Sequence, residues 1–193
     1  MYAKMGFAAM ILSIPLAFVI PPEITFENHL VENLQVVILI LLSAFNVKLA
    51  LASKFQLKWY HVFCAILFFI FALRELSWGR VFFQIGATAS GEPLFISMSD
   101  YPYRIPIYIL LTILILALIF ILIKFLPVKK FLFGKKPIGA LAIMFGAIFI
   151  AYIGEHGYLV GKEYGEVLEE LEETVAYLVL PKICLFYREF LKG

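Results

Sequence analysis

Long apolar runs, separated by short charged connections, set the pattern of this chain. A helix that crosses a bilayer takes about 20 predominantly apolar residues. Six runs approach that: Met5 to Ile20, Leu30 to Leu51, Tyr60 to Leu73, Ile105 to Leu126, Pro137 to Ile153 and Thr174 to Tyr187. The fourth is the cleanest, with Thr112 as its one polar residue before Lys124. The fifth carries Gly139, Ala140, Ala142, Gly146 and Ala147, small residues that permit close helix packing. The first is short and interrupted by Pro15; a signal peptide would look similar, but no small-residue cleavage site precedes Pro21, so it reads as an anchor. The sixth is short and contains Pro181 and Lys182; a half-helix or an interfacial helix is the alternative. The pattern therefore predicts an all-α integral membrane protein of about six transmembrane helices, forming a single polytopic domain over 1–193. A Glu-rich amphipathic helix is expected beside the last span.

Composition agrees. The chain has 193 residues, 63% of them hydrophobic, and a mean hydropathy of +0.97. Soluble domains average about 45–50% apolar residues. The net charge of +2 is uninformative, but its distribution is not. With the six runs taken as spans, twelve of the sixteen Lys and Arg fall on one side and thirteen of the fourteen acids on the other. Basic residues stay in the cytoplasm. The amino terminus is therefore expected inside and the carboxylates outside. The basic residues lie in short loops between apolar runs, which argues against nucleic acid as a partner. Cys64 and Cys184 both sit in apolar runs with no C-x-x-C spacing, which predicts buried thiols and no disulfide framework.

Four groups of residues are candidates for chemistry. In the segment from Tyr164 to Tyr177, Glu166, Glu169, Glu170 and Glu173 are spaced i, i+3, i+4, i+7 and form one stripe of a helix. Val167, Leu168, Leu171, Val175 and Leu178 are expected on the opposite face. Crowded carboxylates repel unless solvated, protonated or offset by a cation. The second group is Arg74-Glu75-Leu76-Ser77-Trp78-Gly79-Arg80 at the outer end of the third run. An ionisable Arg74–Glu75 pair at membrane depth is costly unless matched. Trp78 reads as an interface anchor and Gly79 as a helix stop. The third is Glu32 with Gln35, one turn apart at the start of the second run. The fourth is Glu155-His156, where a metal is conceivable if His29 joins, although zinc sites usually take two or three histidines in register. The loop from about Phe82 to Arg104, with tyrosines 101, 103 and 108 at its end, could fold back over a cavity.

Glu75-Leu76-Ser77-Trp78-Gly79-Arg80 resembles the Glu-Ile-Ser-Trp-Gly-Gln segment of small bacterial inner-membrane proteins, with Arg80 in place of the amide. The Glu-rich late helix, Glu166 to Glu173, resembles theirs as well. The resemblance implies a bacterial inner (plasma) membrane, crossed several times, and brings no activity with it.

The site expected is thus an acidic outer-face cluster drawn from Glu32, Gln35, Arg74, Glu75, Trp78, Arg80, Glu155, His156, Glu166, Glu169, Glu170 and Glu173. Binding or transport of a cation, or of a small cationic solute, is the leading expectation. A non-catalytic subunit, sensor or scaffold is one alternative. An enzyme acting on a lipid or lipid-linked substrate is another, with a glutamate as base and Arg74 or Arg80 on an anionic group. No catalytic motif is present, and no cofactor beyond a bound cation is expected. Besides the lipid bilayer, the expected partners are a second copy of the chain or another membrane or soluble protein, because six short spans enclose little volume.

Overall fold

A computed structural model describes residues 2–89 and 91–192. Among the described residues, seven α-helices carry the fold: α1 Tyr2–Ala17, α2 Leu30–Ala52, α3 Phe55–Glu75, α4 Arg104–Phe125, α5 Val128–Phe133, α6 Ile138–Glu155 and α7 Lys162–Lys192. Of these, α2, α3, α4 and α6 are long and apolar enough to cross a membrane. α1 is a shorter apolar helix. These four match the second to fifth apolar runs to within a few residues, except that α3 starts five residues early, at Phe55. The clearest case is α4. Its 22 residues are apolar on every face, and only 6% of its most apolar window is buried. A helix that is hydrophobic all round and unburied is stable only if lipid surrounds it.

One feature differs from the sequence expectation. The Glu-rich segment and the sixth run are not two pieces. They form the single 31-residue helix α7, which continues through Pro181. At 1.5 Å per residue it is about 46 Å long, more than the ~30 Å hydrocarbon core. Its first turns hold all of its glutamates but Glu189, and the apolar stretch starts only after Glu173. A second difference lies in the loop after α3. It contains a small antiparallel hairpin, β1 Gln84–Ala87 paired with β2 Pro93–Phe95. Ser90 of that loop lies outside the described residues.

The chain divides into two compact units. Unit 1 comprises 1–35 and 137–186, so it holds α1, the first turns of α2, α6 and most of α7. Its interior has two apolar clusters. One joins Ile143 and Ala147 of α6 to Val175 and Ala176 of α7, with Met10 of α1 against them. The other joins Ala17 of α1 to Val167 and Leu168 of α7. Near the start of α7 the helices α6 and α7 meet through glycines. A Cβ on Gly165 would stand 2.3 Å from the Gly154 carbonyl oxygen. Only glycine permits that approach, and it sets which face of α7 turns inward.

Unit 2 comprises 36–136 and 187–193. There α3 lies along α4, with Trp59 stacked on Phe125 at 4.1 Å between ring centres. Ser43 of α2 donates to the Ala65 carbonyl at 2.9 Å, and His61 Nδ1 lies 2.9 Å from Asn46 Oδ1. These buried polar contacts register α2 against α3.

Candidate functional site

The rotation of α7 fixed by Gly165 decides the fate of each glutamate. Val167 and Leu168 are fully buried, and Val175 and Ala176 nearly so. Glu166 is exposed, while Glu169, Glu170 and Glu173 are half-buried. The stripe is therefore real, but it grades from water into the protein. Leu178, expected on the inner face, is 59% exposed. It faces outward because the buried stripe of α7 runs through Val175 and Ala176, and Leu178 lies off that line.

Glu170 is drawn into a polar cluster with the start of α2. Gln35 is buried, with 1% of its surface exposed. Its Nε2 lies 3.0 Å from the Glu170 carbonyl oxygen, 3.1 Å from Glu170 Oε2 and 2.9 Å from Thr174 Oγ1. Thr174 Oγ1 donates to the Glu170 carbonyl at 2.9 Å. A carboxylate oxygen of Glu32 lies within 4.8 Å of one of Glu170. Glu32 also accepts from the backbone N–H of Asn28. That bond resembles the glutamate half of a capping box. It depends on Asn28 holding φ at +63°, a conformation asparagine tolerates better than most residues. Asn33 Nδ2 ties the same turn to the carbonyls of Asn28 and His29 at 2.8 and 2.7 Å.

The Gln35 amide oxygen, Oε1, is buried and has no hydrogen-bond partner among the described residues. A buried polar atom without a partner costs about 1–3 kcal/mol. It sits on the same amide group that reaches Glu170. The carboxylates of Glu32 and Glu170 thus lie together in unit 1, with the amide of Gln35 against Glu170. Such an all-oxygen donor set suits a hard cation such as Ca²⁺, Mg²⁺ or Mn²⁺.

The second sequence group forms the end of α3 in unit 2. Glu75 is its last residue and is 5% exposed; Arg74 Nη1 donates to Glu75 Oε1 at 3.0 Å. Beyond it the chain turns sharply. Ser77, Trp78 and Gly79 have φ of +43°, +59° and +90°. For serine and tryptophan such values are strained. At Gly79 a Cβ would meet the Tyr101 hydroxyl at 2.8 Å, so glycine is needed for both conformation and space. The helix stops at Glu75, before the glycine expected to end it. Arg80 Nε donates to the Ile96 carbonyl at 2.8 Å. That bond pins the end of the hairpin, just past β2, to the turn after α3. Trp78 is half-buried in that turn.

Glu155 and His156 sit at the exposed end of α6. Their side chains are 58% and 39% exposed, and His156 Nδ1 approaches Glu155 Oε2 at 3.9 Å. The same nitrogen lies 2.9 Å from the Tyr152 carbonyl. His29 Nδ1 lies 2.5 Å from the Glu23 carbonyl. Among the described residues, no histidine joins a group of three potential metal ligands.

The residue that the sequence expectation omits is Glu172. It is fully buried between the two apolar clusters of unit 1. Ser13 Oγ of α1 lies 2.5 Å from Glu172 Oε1 and 2.7 Å from the Met10 carbonyl. A serine hydroxyl has one proton to give. If it goes to the carbonyl, which can only accept, the Glu172 contact requires a proton on the carboxyl itself. The other oxygen, Oε2, has no partner among the described residues. Burial pushes the Glu172 carboxyl up from 4.5 to about 7, and the Ser13 bond pulls more weakly the other way. The signal for its burial was present in the sequence: Glu172 follows Leu168 by four and precedes Val175 and Ala176 by three and four.

Comparison with protein-family models, with curated proteins and with solved structures finds no match to this chain.

Proposed function

We propose that this protein is a multi-pass protein of a bacterial inner membrane that binds a hard cation at Glu32, Glu170 and Gln35 and carries it across the bilayer. The observation that carries the reading is the Gln35 amide oxygen, buried without a partner beside carboxylates of Glu32 and Glu170 that lie within 4.8 Å of each other. Metal–oxygen distances for Ca²⁺ are about 2.3–2.6 Å. One ion between the two carboxylates would meet both and remove their mutual repulsion, and a turn of the Gln35 amide would offer it the unpartnered oxygen.

In this reading α1, α2, α3, α4, α6 and the apolar part of α7 are the six spans. The amino terminus is cytoplasmic, and the acidic site faces outward. The sorting of charge supports that orientation. The exposed Glu166 and the half-buried Glu169 and Glu173 would concentrate cations at the mouth. Arg74 and Arg80 are engaged with Glu75 and with the Ile96 carbonyl, which gives less support to their use as anion holders in a lipid-processing enzyme.

The test is uptake of Mn²⁺ into proteoliposomes, with Mg²⁺ and Ca²⁺ as competitors. Wild-type protein is expected to admit the ion, and Glu170→Gln to abolish uptake while keeping its helicity and monodispersity. Uptake unchanged in Glu170→Gln and in Glu32→Gln would sink the proposal.

A further inference from the structure

Unit 1 contains a cavity of about 460 Å³ among α1, α6 and α7. Small residues open it: Gly6 and Ala9 of α1, Gly139 and Ala140 of α6. Ile143 of α6 contributes to its wall and would lie 3.2 Å from a Cβ on Gly6, so the helices already touch on that side. Lys182 of α7 is the one charged side chain among the described lining residues. The volume falls within the ~300–1,000 Å³ typical of small-molecule sites.

The direction of the three helices locates this cavity. On α7 its lining runs from Val175 toward the carboxyl terminus, and on α1 and α6 it runs toward each amino terminus. These are the basic ends of all three helices. Lys4 is exposed and directly precedes the lining residue Met5 in the chain. The cavity therefore has apolar walls and one basic side chain, Lys182, at the end of the unit opposite Glu166, Glu169, Glu170 and Glu173. A lysine inside a span extends its stem along the apolar surface and its ammonium toward the headgroups. Basic pockets between membrane helices on the cytoplasmic side hold anionic lipid headgroups.

We infer that this cavity binds one anionic phospholipid, with an acyl chain between α1, α6 and α7 and its phosphate on Lys182. A zwitterionic lipid would fill the same apolar walls, but its own cation would offset the attraction to Lys182. The site uses none of the carboxylates assigned to the cation. It therefore stands or falls independently of the function proposed above.

The experiment is native mass spectrometry of the full-length protein, given equal amounts of phosphatidylglycerol and phosphatidylcholine with identical acyl chains. Wild-type protein is expected to retain one phosphatidylglycerol with a preference of about fivefold, the effect of one lysine at an anionic surface. Lys182→Gln should bind the two lipids equally. Ala140→Phe, which fills the cavity, should retain neither. If Ala140→Phe does not fold, Ala9→Leu tests the same wall from α1. Equal retention of both lipids by wild type, a surviving preference in Lys182→Gln, or a lipid still bound in a folded cavity-filled variant would each overturn the inference.

Discussion

Replacing Glu172 by glutamine tests the interior of unit 1. Glutamine has the shape of the protonated acid and can still accept from Ser13. It cannot ionise. In the wild-type protein the unfolded chain loses this proton near 4.5, whereas the folded chain holds it until about 7. Between those values the folded state binds more protons than the unfolded state, so stability falls as pH rises. At 1.36 kcal/mol per pH unit, the full cost of ionising the buried carboxyl is roughly 3 kcal/mol. It is absent below pH 4.5 and complete above pH 7. The expectation is that wild type and Glu172→Gln melt together at about pH 4, below the unfolded-state value, and that the variant is more stable at pH 8. At about 2–4 °C per kcal/mol for a chain of this size, the gap is roughly 6–12 °C. Thermal unfolding in one detergent, followed by circular dichroism from about pH 4 to pH 8, reads it directly. If the variant is less stable at pH 8, or if the gap does not change with pH, Glu172 is not a buried neutral acid and the packing assigned to α7 is wrong.

Other outcomes follow from particular contacts. Gly165→Ala forces a methyl group against the Gly154 carbonyl and should destabilise the α6–α7 contact by about 1–3 kcal/mol, seen as a lower melting temperature. Arg80→Ala releases the Ile96 carbonyl and should speed amide exchange in 84–96 while leaving α3 protected, with a loss of about 1–2 kcal/mol. Gln35→Leu keeps the volume but removes the amide, and should weaken cation affinity about 10- to 100-fold in protein that still folds, read by Mn²⁺ titration beside circular dichroism.

The membrane helices were legible because hydropathy is a local property. The runs from Leu30, Tyr60, Ile105 and Pro137 each became one helix with nearly the expected ends. α7 was harder, because Pro181 and Lys182 interrupt its apolar pattern although the backbone continues through both. The hairpin at 84–95 left no mark, since two short strands carry too little alternation to stand out in a polar loop. Glu166, Glu169, Glu170 and Glu173 read from the sequence as a stripe, whereas Glu172 falls outside that spacing. Helical spacing from Leu168 and Val175 places it inside, and only the packing of α1 reveals its partner, Ser13. The contact between Gln35 and Glu170 spans 135 residues of sequence. Pairing between distant helices has no local signature, so each residue could be named as a candidate, but their meeting could not be read from sequence alone.

The most direct measurement is the binding of Mn²⁺ to the purified protein at pH 7.5, counted by electron paramagnetic resonance of the free ion. One ion per chain should bind to wild type. Binding should fall at least tenfold in affinity in Glu32→Gln and in Glu170→Gln, and far less in Glu166→Gln, which touches only the approach to the site. A protein that binds no Mn²⁺, or that binds it equally well in all four forms, would contradict the cation site.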